Sequence, residues 1–171
     1  PVKVKDKYFQ SIRDTEISEE NWSKKHLKAI YLSYSKASHF EEIISWVEPL
    51  YLNEYTYLYQ VNHAFTKAIC KYLGINTVIS DSNNFNLISG KTERLVDLCK
   101  QLDADEYISA PAAKNYIEEN KFKDSNIKLR WYSYDGYSDY KQLWGGFISQ
   151  VSILDLLFNC GSNSNKYMKR G

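Results

Sequence analysis

The sequence predicts an α/β fold, a mostly parallel sheet flanked by helices on both faces and built as a single domain. Three observations predict it. From residue 77 onward, short β-branched runs alternate with helical apolar periods. The segments between those runs are long enough to be crossovers, which implies parallel pairing. The length of 171 residues suits one domain, which buries roughly 70% of the surface its unfolded chain would expose.

The elements follow in chain order. Val2, Val4, Tyr8 and Ile12 open with strand-like alternation, and Pro1 stands where an initiator Met is expected, so the natural start is expected upstream. Ser18 is the expected N-cap of a first amphipathic helix, in which Trp22, Leu27, Ile30, Tyr31 and Tyr34 recur at helical spacing. Ser38 and Glu41 read as a capping box for a second helix, with a stripe of Ile43, Ile44, Val47 and Leu50 that Pro49 is expected to end. A third helix is predicted over 55–72 through Leu58, Val61, Phe65, Ala68 and Ile69, with Gly74 placed for a left-handed cap.

Residues 77–80 (TVIS) then read as a strand, followed by the polar loop DSNNFN. Residues 91–102 are helical through Leu95, Leu98, Cys99 and Leu102. Tyr107 and Ile108 form a second strand, Pro111 opens another helix at its first turn, and 127–132 form a third strand. SILDLLFN is the last helix and Gly161 ends it. Residues 162–171 hold no apolar pattern and are expected to form a flexible tail, so the predicted domain is 1–161.

Composition excludes several classes. Lys plus Arg is 22 and Asp plus Glu is 21, so no excess charge draws the chain to nucleic acid or to a membrane surface. The longest apolar stretch, within 151–158, is broken by Ser152 and Asp155 and is too short to span a bilayer. No secretory signal is visible, so a cytoplasmic location is expected. Cys70, Cys99 and Cys160 are widely spaced within apolar helical runs and read as buried reduced thiols. Neither a metal nor a cofactor is expected, because His26, His39 and His63 are scattered without matching Cys or carboxylates.

Two motif echoes fail on context. Gly90, Lys91 and Thr92 mimic the end of a phosphate loop, but Phe85 stands where that motif needs Gly. Ser33 to Lys36, Ser80 to Ser82 and Lys91 to Glu93 echo the signatures of penicillin-recognising serine enzymes, yet Ser33 falls near a helix end and Lys91-Thr92 opens a helix.

What remains is a convergence. In a parallel sheet, ligands bind beyond the carboxyl ends of the strands, where Ser80 to Ser82, Ser109, Ala110, Lys114, Tyr134 and Asp135 are expected. Lys91 and Arg94 occupy the first turn after Gly90, where free amides and the helix dipole favour phosphate; solvation, or pairing with Glu93 and Asp97, is the competing reading. His26 is a candidate general base, against a half-buried helix-edge residue. Asp155 interrupts an apolar run, so it is either hydrogen-bonded or paired with Arg94 or Arg130, or is a functional carboxylate at a pocket floor.

NWSKKHLKAIYLSYSKASHF, LGINTVIS, GKTERLVDLCKQLDADEYIS, PAAKNYI and YKQLWGGFISQVSILDLLFNCG together resemble the WbqC-like protein family, from about Val2 to Gly161. Phe147, Ser152, Asp155, Leu156, Leu157, Phe158 and Asn159 are the most specific part, and residues 91–95 also match. The family's upstream glutamine-tyrosine-proline-tryptophan motif and acidic strand are not in this sequence. The resemblance implies a role in bacterial surface-polysaccharide (O-antigen-type) biosynthesis on a nucleotide-linked sugar, with glycyl or other acyl transfer to an amino sugar as the suggested chemistry. In that reading Lys91 and Arg94 hold phosphate, Trp22, Tyr34 and Tyr107 line the sugar together with Ser109, and His26 or Asp155 is the base. The alternative is a non-catalytic partner of polysaccharide enzymes, docking through Tyr137, Tyr140, Trp144 and Phe147. Self-association is expected if a missing upstream segment leaves an apolar patch bare.

Overall fold

The computed structural model describes residues 1–169. In chain order the described residues form α1 (Trp22–Tyr34), α2 (Phe40–Leu52), α3 (Leu58–Tyr72), α4 (Thr92–Gln101), β1 (Glu106–Ser109), α5 (Glu119–Asp124), β2 (Lys128–Trp131) and α6 (Ile153–Cys160). The chain is mixed helix and strand, as expected, but it groups into two compact units. Unit 1 takes Pro1–Asn76 and the chain from Tyr137 onward, and unit 2 takes Thr77–Gly136.

Unit 1 is helical. Leu27 and Ile30 of α1, Phe40, Ile43, Ile44 and Val47 of α2, and Leu157 and Phe158 of α6 bury into one core with Ala37 and Leu73. Each set follows the helical period read from the sequence. Tyr34 and Phe40 both stack on Phe158, at 4.9 and 5.6 Å between ring centroids. Helix α2 runs through Pro49 to Leu52, because a proline in the last turn costs one hydrogen bond and the Asn53 amide still reaches the Pro49 carbonyl. The α2 N-cap is His39 and makes no side-chain cap bond, so the Ser38 capping box does not form. The opening alternation yields two isolated antiparallel bridges, Val2 to Ile17 and Glu16 to Tyr57, while Val4, Tyr8 and Ile12 stay exposed.

The segment after α6 is not a loose tail where it is described. Gly161–Tyr167 winds as a 3-10 helix, and Ser164 is fully buried with its hydroxyl on the Gly161 carbonyl at 2.6 Å. Residues 170 and 171 of the expected tail lie outside the described residues. A run of polar residues hides such a turn from pattern reading, since its hydrogen bonds and not its apolar period hold it.

Unit 2 holds the sheet, and it is small. β1 and β2 pair in parallel with Glu106 opposite Lys128 and Ser109 opposite Trp131. Val96, Cys99, Ala113, Ile117, Phe122 and Ile127 form its core. Residues 77–80 form no strand, and Val78 is 86% exposed, so the expected third strand and the sheet covered on both faces are not observed. Pro111 opens a 3-10 helix, Pro111–Asn115, ahead of the short α5.

Two expectations follow from this packing. Gly161 has φ of 52° and an added Cβ would collide with the His39 ring, so Gly161→Ala is expected to cost about 2–4 kcal/mol in urea unfolding. Among the thiols, Cys99 and Cys160 are buried, and burial raises both above the usual cysteine range, whereas Cys70 is only half-buried. A thiol reagent is therefore expected to label Cys70 first in the native protein, with the other two reacting on unfolding. Equal labelling rates at all three would contradict the burial.

Candidate functional site

Helix α1 presents its first two turns to an open pocket in unit 1. Trp22 and His26 lie one turn apart on that face, Tyr51 comes from the end of α2, and Leu58, Val61, Asn62 and Phe65 come from the start of α3. Pro1, Val2 and Ile17 complete the wall of a cavity of about 260 Å³. The bridges at Ile17 and Tyr57 explain why that opening segment is held against α3, as does the Thr15 carbonyl, which accepts from the Leu58 amide at 2.9 Å.

The rings form a cage around the imidazole. Trp22 meets His26 edge to face at 5.3 Å, Tyr51 meets His26 at 6.0 Å, and Trp22 and Tyr51 are 5.7 Å apart. Phe65 supports Tyr51 at 4.8 Å. Burial alone pushes the Tyr51 hydroxyl above the usual tyrosine range, so at neutral pH it is a neutral donor. The lining contains no Lys, Arg, Asp or Glu side chain. His26 itself stays exposed. Such a site can seat an uncharged ring against aromatic faces and move a proton through one imidazole.

Of the residues singled out from sequence, Trp22 and His26 therefore meet in one pocket. The others do different work. Tyr34 stacks its ring on Phe158, and its hydroxyl donates to Asp155 at 3.0 Å. Asp155 is buried, and its carboxylate also accepts from the Tyr140 hydroxyl at 2.7 Å and the Gln142 amide at 3.0 Å. It is hydrogen-bonded without any arginine. Arg94 donates from Nε to the Ile88 carbonyl at 2.9 Å, and Arg130 pairs with Glu106 at 3.3 Å.

In unit 2, Lys91 lies over the Tyr116 ring at 5.6 Å. An added Cβ at Gly90 would collide with the Glu93 carboxylate, which also pairs with Lys121. Tyr107 stacks on buried Phe122 at 5.3 Å, and burial raises its hydroxyl above the usual range; it belongs to the core. Ser109 is buried at the end of β1, where its carbonyl accepts from the Tyr132 amide. Among the described residues no group of three His, Cys, Asp or Glu is placed to hold a metal ion.

Pattern reading missed Tyr51, Asn62 and Phe65 as pocket residues, and Tyr140 and Gln142 as partners of Asp155. Val61 and Phe65 were visible only as an apolar stripe, and Gln142 lies in irregular chain with no periodic signal.

The Asp155 cluster generates an alkaline prediction. Burial first, and the bond to Asp155 second, push the Tyr34 hydroxyl up to about 12 and raise Tyr140 for the same reasons. The native state then keeps protons that the unfolded chain loses near pH ~10, so the unfolded state binds fewer protons and stability falls as pH rises above about 10. Urea unfolding across that range, with tyrosinate absorbance as the second readout, is expected to show the loss in the parent and a smaller loss in Tyr34→Phe. Asp155→Ala strands three donors and is expected to cost about 2–4 kcal/mol near neutrality.

The model of the WbqC-like protein family matches residues 1–167. The uncharacterized protein Rv1507c of Mycobacterium tuberculosis is 48% identical over 170 residues, which are 99% of this chain and 74% of that protein. No solved structure matches the chain. Among the described residues no helix is long and apolar enough to cross a membrane. With the match running nearly end to end, the chain belongs to the WbqC-like protein family.

Proposed function

We propose that this chain is an enzyme of bacterial surface-polysaccharide biosynthesis that acts on a nucleotide-linked sugar, transferring a glycyl or other acyl group to an amino sugar. The observation that supports this reading best is His26 on the wall of an aromatic-lined pocket without Lys, Arg, Asp or Glu side chains. Family membership supports the polysaccharide setting. The pocket, a cavity of about 260 Å³ open to solvent, has room for a sugar ring between its aromatic walls. Nucleotide sugars are cytoplasmic metabolites, and the reading places the protein there.

In the proposed step, the amino group of the sugar attacks the carbonyl carbon of an activated acyl donor. A C–N bond forms, the bond to the leaving group breaks, and His26 takes the proton that the amine loses. Trp22 and Tyr51 stack against the ring and orient it. Asp155 is not the base in this reading, because its oxygens are already filled by Tyr34, Tyr140 and Gln142. A non-catalytic docking role draws on exposed Tyr137, Trp144 and Phe147, but Tyr140 faces inward to Asp155.

Calorimetric titration with a uridine-diphosphate amino sugar whose amine is free, followed by an acyl-transfer assay on the same sugar, tests the reading. Trp22→Ala is expected to weaken binding about tenfold, roughly 1.4 kcal/mol, while His26→Ala keeps affinity and lowers transfer by about 10²–10⁴. Unchanged affinity in Trp22→Ala would remove the pocket from the account. The double change Lys91→Ala and Arg94→Ala is expected to leave affinity unchanged and to lower the melting temperature, since both side chains have internal partners.

A further inference from the structure

The chain between Tyr140 and α6 contains a loop built with unusual care. Gln142 donates to the Ile148 carbonyl at 2.9 Å and accepts from the Ile148 amide at 2.8 Å, so one side-chain amide closes both ends of residues 142–148. The same Gln142 is tied to the buried Asp155 carboxylate. Within the closed loop, the Trp144 indole N–H donates to the Ser33 carbonyl at 2.9 Å. That fixes the ring, yet Trp144 remains 59% exposed. An exposed large aromatic whose ring is held by a hydrogen bond, in a loop that one side-chain amide closes, forms a pre-ordered face, and such faces bind at low entropic cost.

Gly146 adds a second observation. Its φ is negative, so the backbone does not demand glycine, and an added Cβ there would meet nothing within 4 Å. Neither strain nor internal packing accounts for the missing side chain. Gly146 is two residues from Trp144, and with Gly145 it leaves an exposed stretch of backbone without side chains next to Trp144 in the chain.

We propose that the 142–148 loop is a second saccharide subsite, in which a pyranose ring lays its C–H face on Trp144 and its hydroxyls reach the bare backbone at Gly145 and Gly146. A sugar fits these groups for a physical reason. A pyranose has one apolar face and a rim of hydroxyls, which matches an aromatic plane beside unshielded peptide groups. The exposed apolar side chains of the loop, Trp144, Phe147 and Ile148, offer on the order of a few hundred Å², short of the roughly 800 Å² per partner that a stable protein interface buries. The subsite is distinct in its residues from the His26 pocket.

The test uses the full chain and N-acetylglucosamine with its short β-linked oligomers, titrated by calorimetry beside thermal melts. Trp144→Ala is expected to weaken oligomer binding at least tenfold. Gly146→Val is expected to do the same with no drop in melting temperature, because it fills outer space and not the core. Trp22→Ala is expected to leave oligomer binding at the loop intact, which separates failure here from failure of the His26 pocket. The proposal is overturned if the oligomers do not bind, if Gly146→Val binds them as the parent does, or if Trp144→Ala instead abolishes a self-association seen by light scattering.

Discussion

A carboxylate at the first turn of an otherwise apolar helix must find its partners outside that helix, and much of unit 1 is arranged around meeting that need. Asp155 sits in α6 among Leu156, Leu157 and Phe158, all buried. An unpaired charge there would be costly, so the donors are brought to it: Tyr34 from α1, and Tyr140 and Gln142 from irregular chain. No cation takes part in these bonds. Two hydroxyls, an amide and the positive end of the α6 dipole hold the charge instead. Once Gln142 is committed to Asp155, its other bonds fix Ile148, and the loop carrying Trp144 inherits that order.

The junction between α2 and α6 is equally constrained. The His39 amide bonds the Phe158 carbonyl at 3.1 Å, and its ring lies where a side chain on residue 161 would be. The ring in turn meets Glu42 at 3.1 Å, and Glu42 accepts from Tyr72 of α3 at 2.7 Å, which together hold its carboxyl below the usual range. The tight contacts of unit 1 therefore lie along α2 and α6. The opposite end of α1, with Trp22 and His26, is left facing an open pocket whose walls are rings rather than bonded polar groups.

In unit 2 the residues with chemical promise serve structure. Tyr107 and Ser109 belong to a strand with one neighbour, and the cations near Gly90 already have partners in Tyr116 and Ile88. At the start of α4 the Glu93 carboxylate lies close to Gly90 and pairs with Lys121.

The sequence by itself determined the helices. The apolar periods of α1, α2, α4 and α6 and the two strands at 106–109 and 128–131 are local patterns, and each forms close to where the pattern puts it. It also marked His26 as a candidate base and Trp22 as a candidate ring contact, both on the first helix. Only the tertiary structure decided which polar groups meet. A strand needs a neighbour, so TVIS, with β propensity but no partner, stays irregular. Asp155 could be seen as a buried charge in need of donors, but the donors come from positions 34, 140 and 142, and no local period encodes a bond across 121 residues. The same limit hid Tyr51 and Phe65 from the pocket, since a stripe residue faces either the core or a cavity according to what the rest of the chain leaves open.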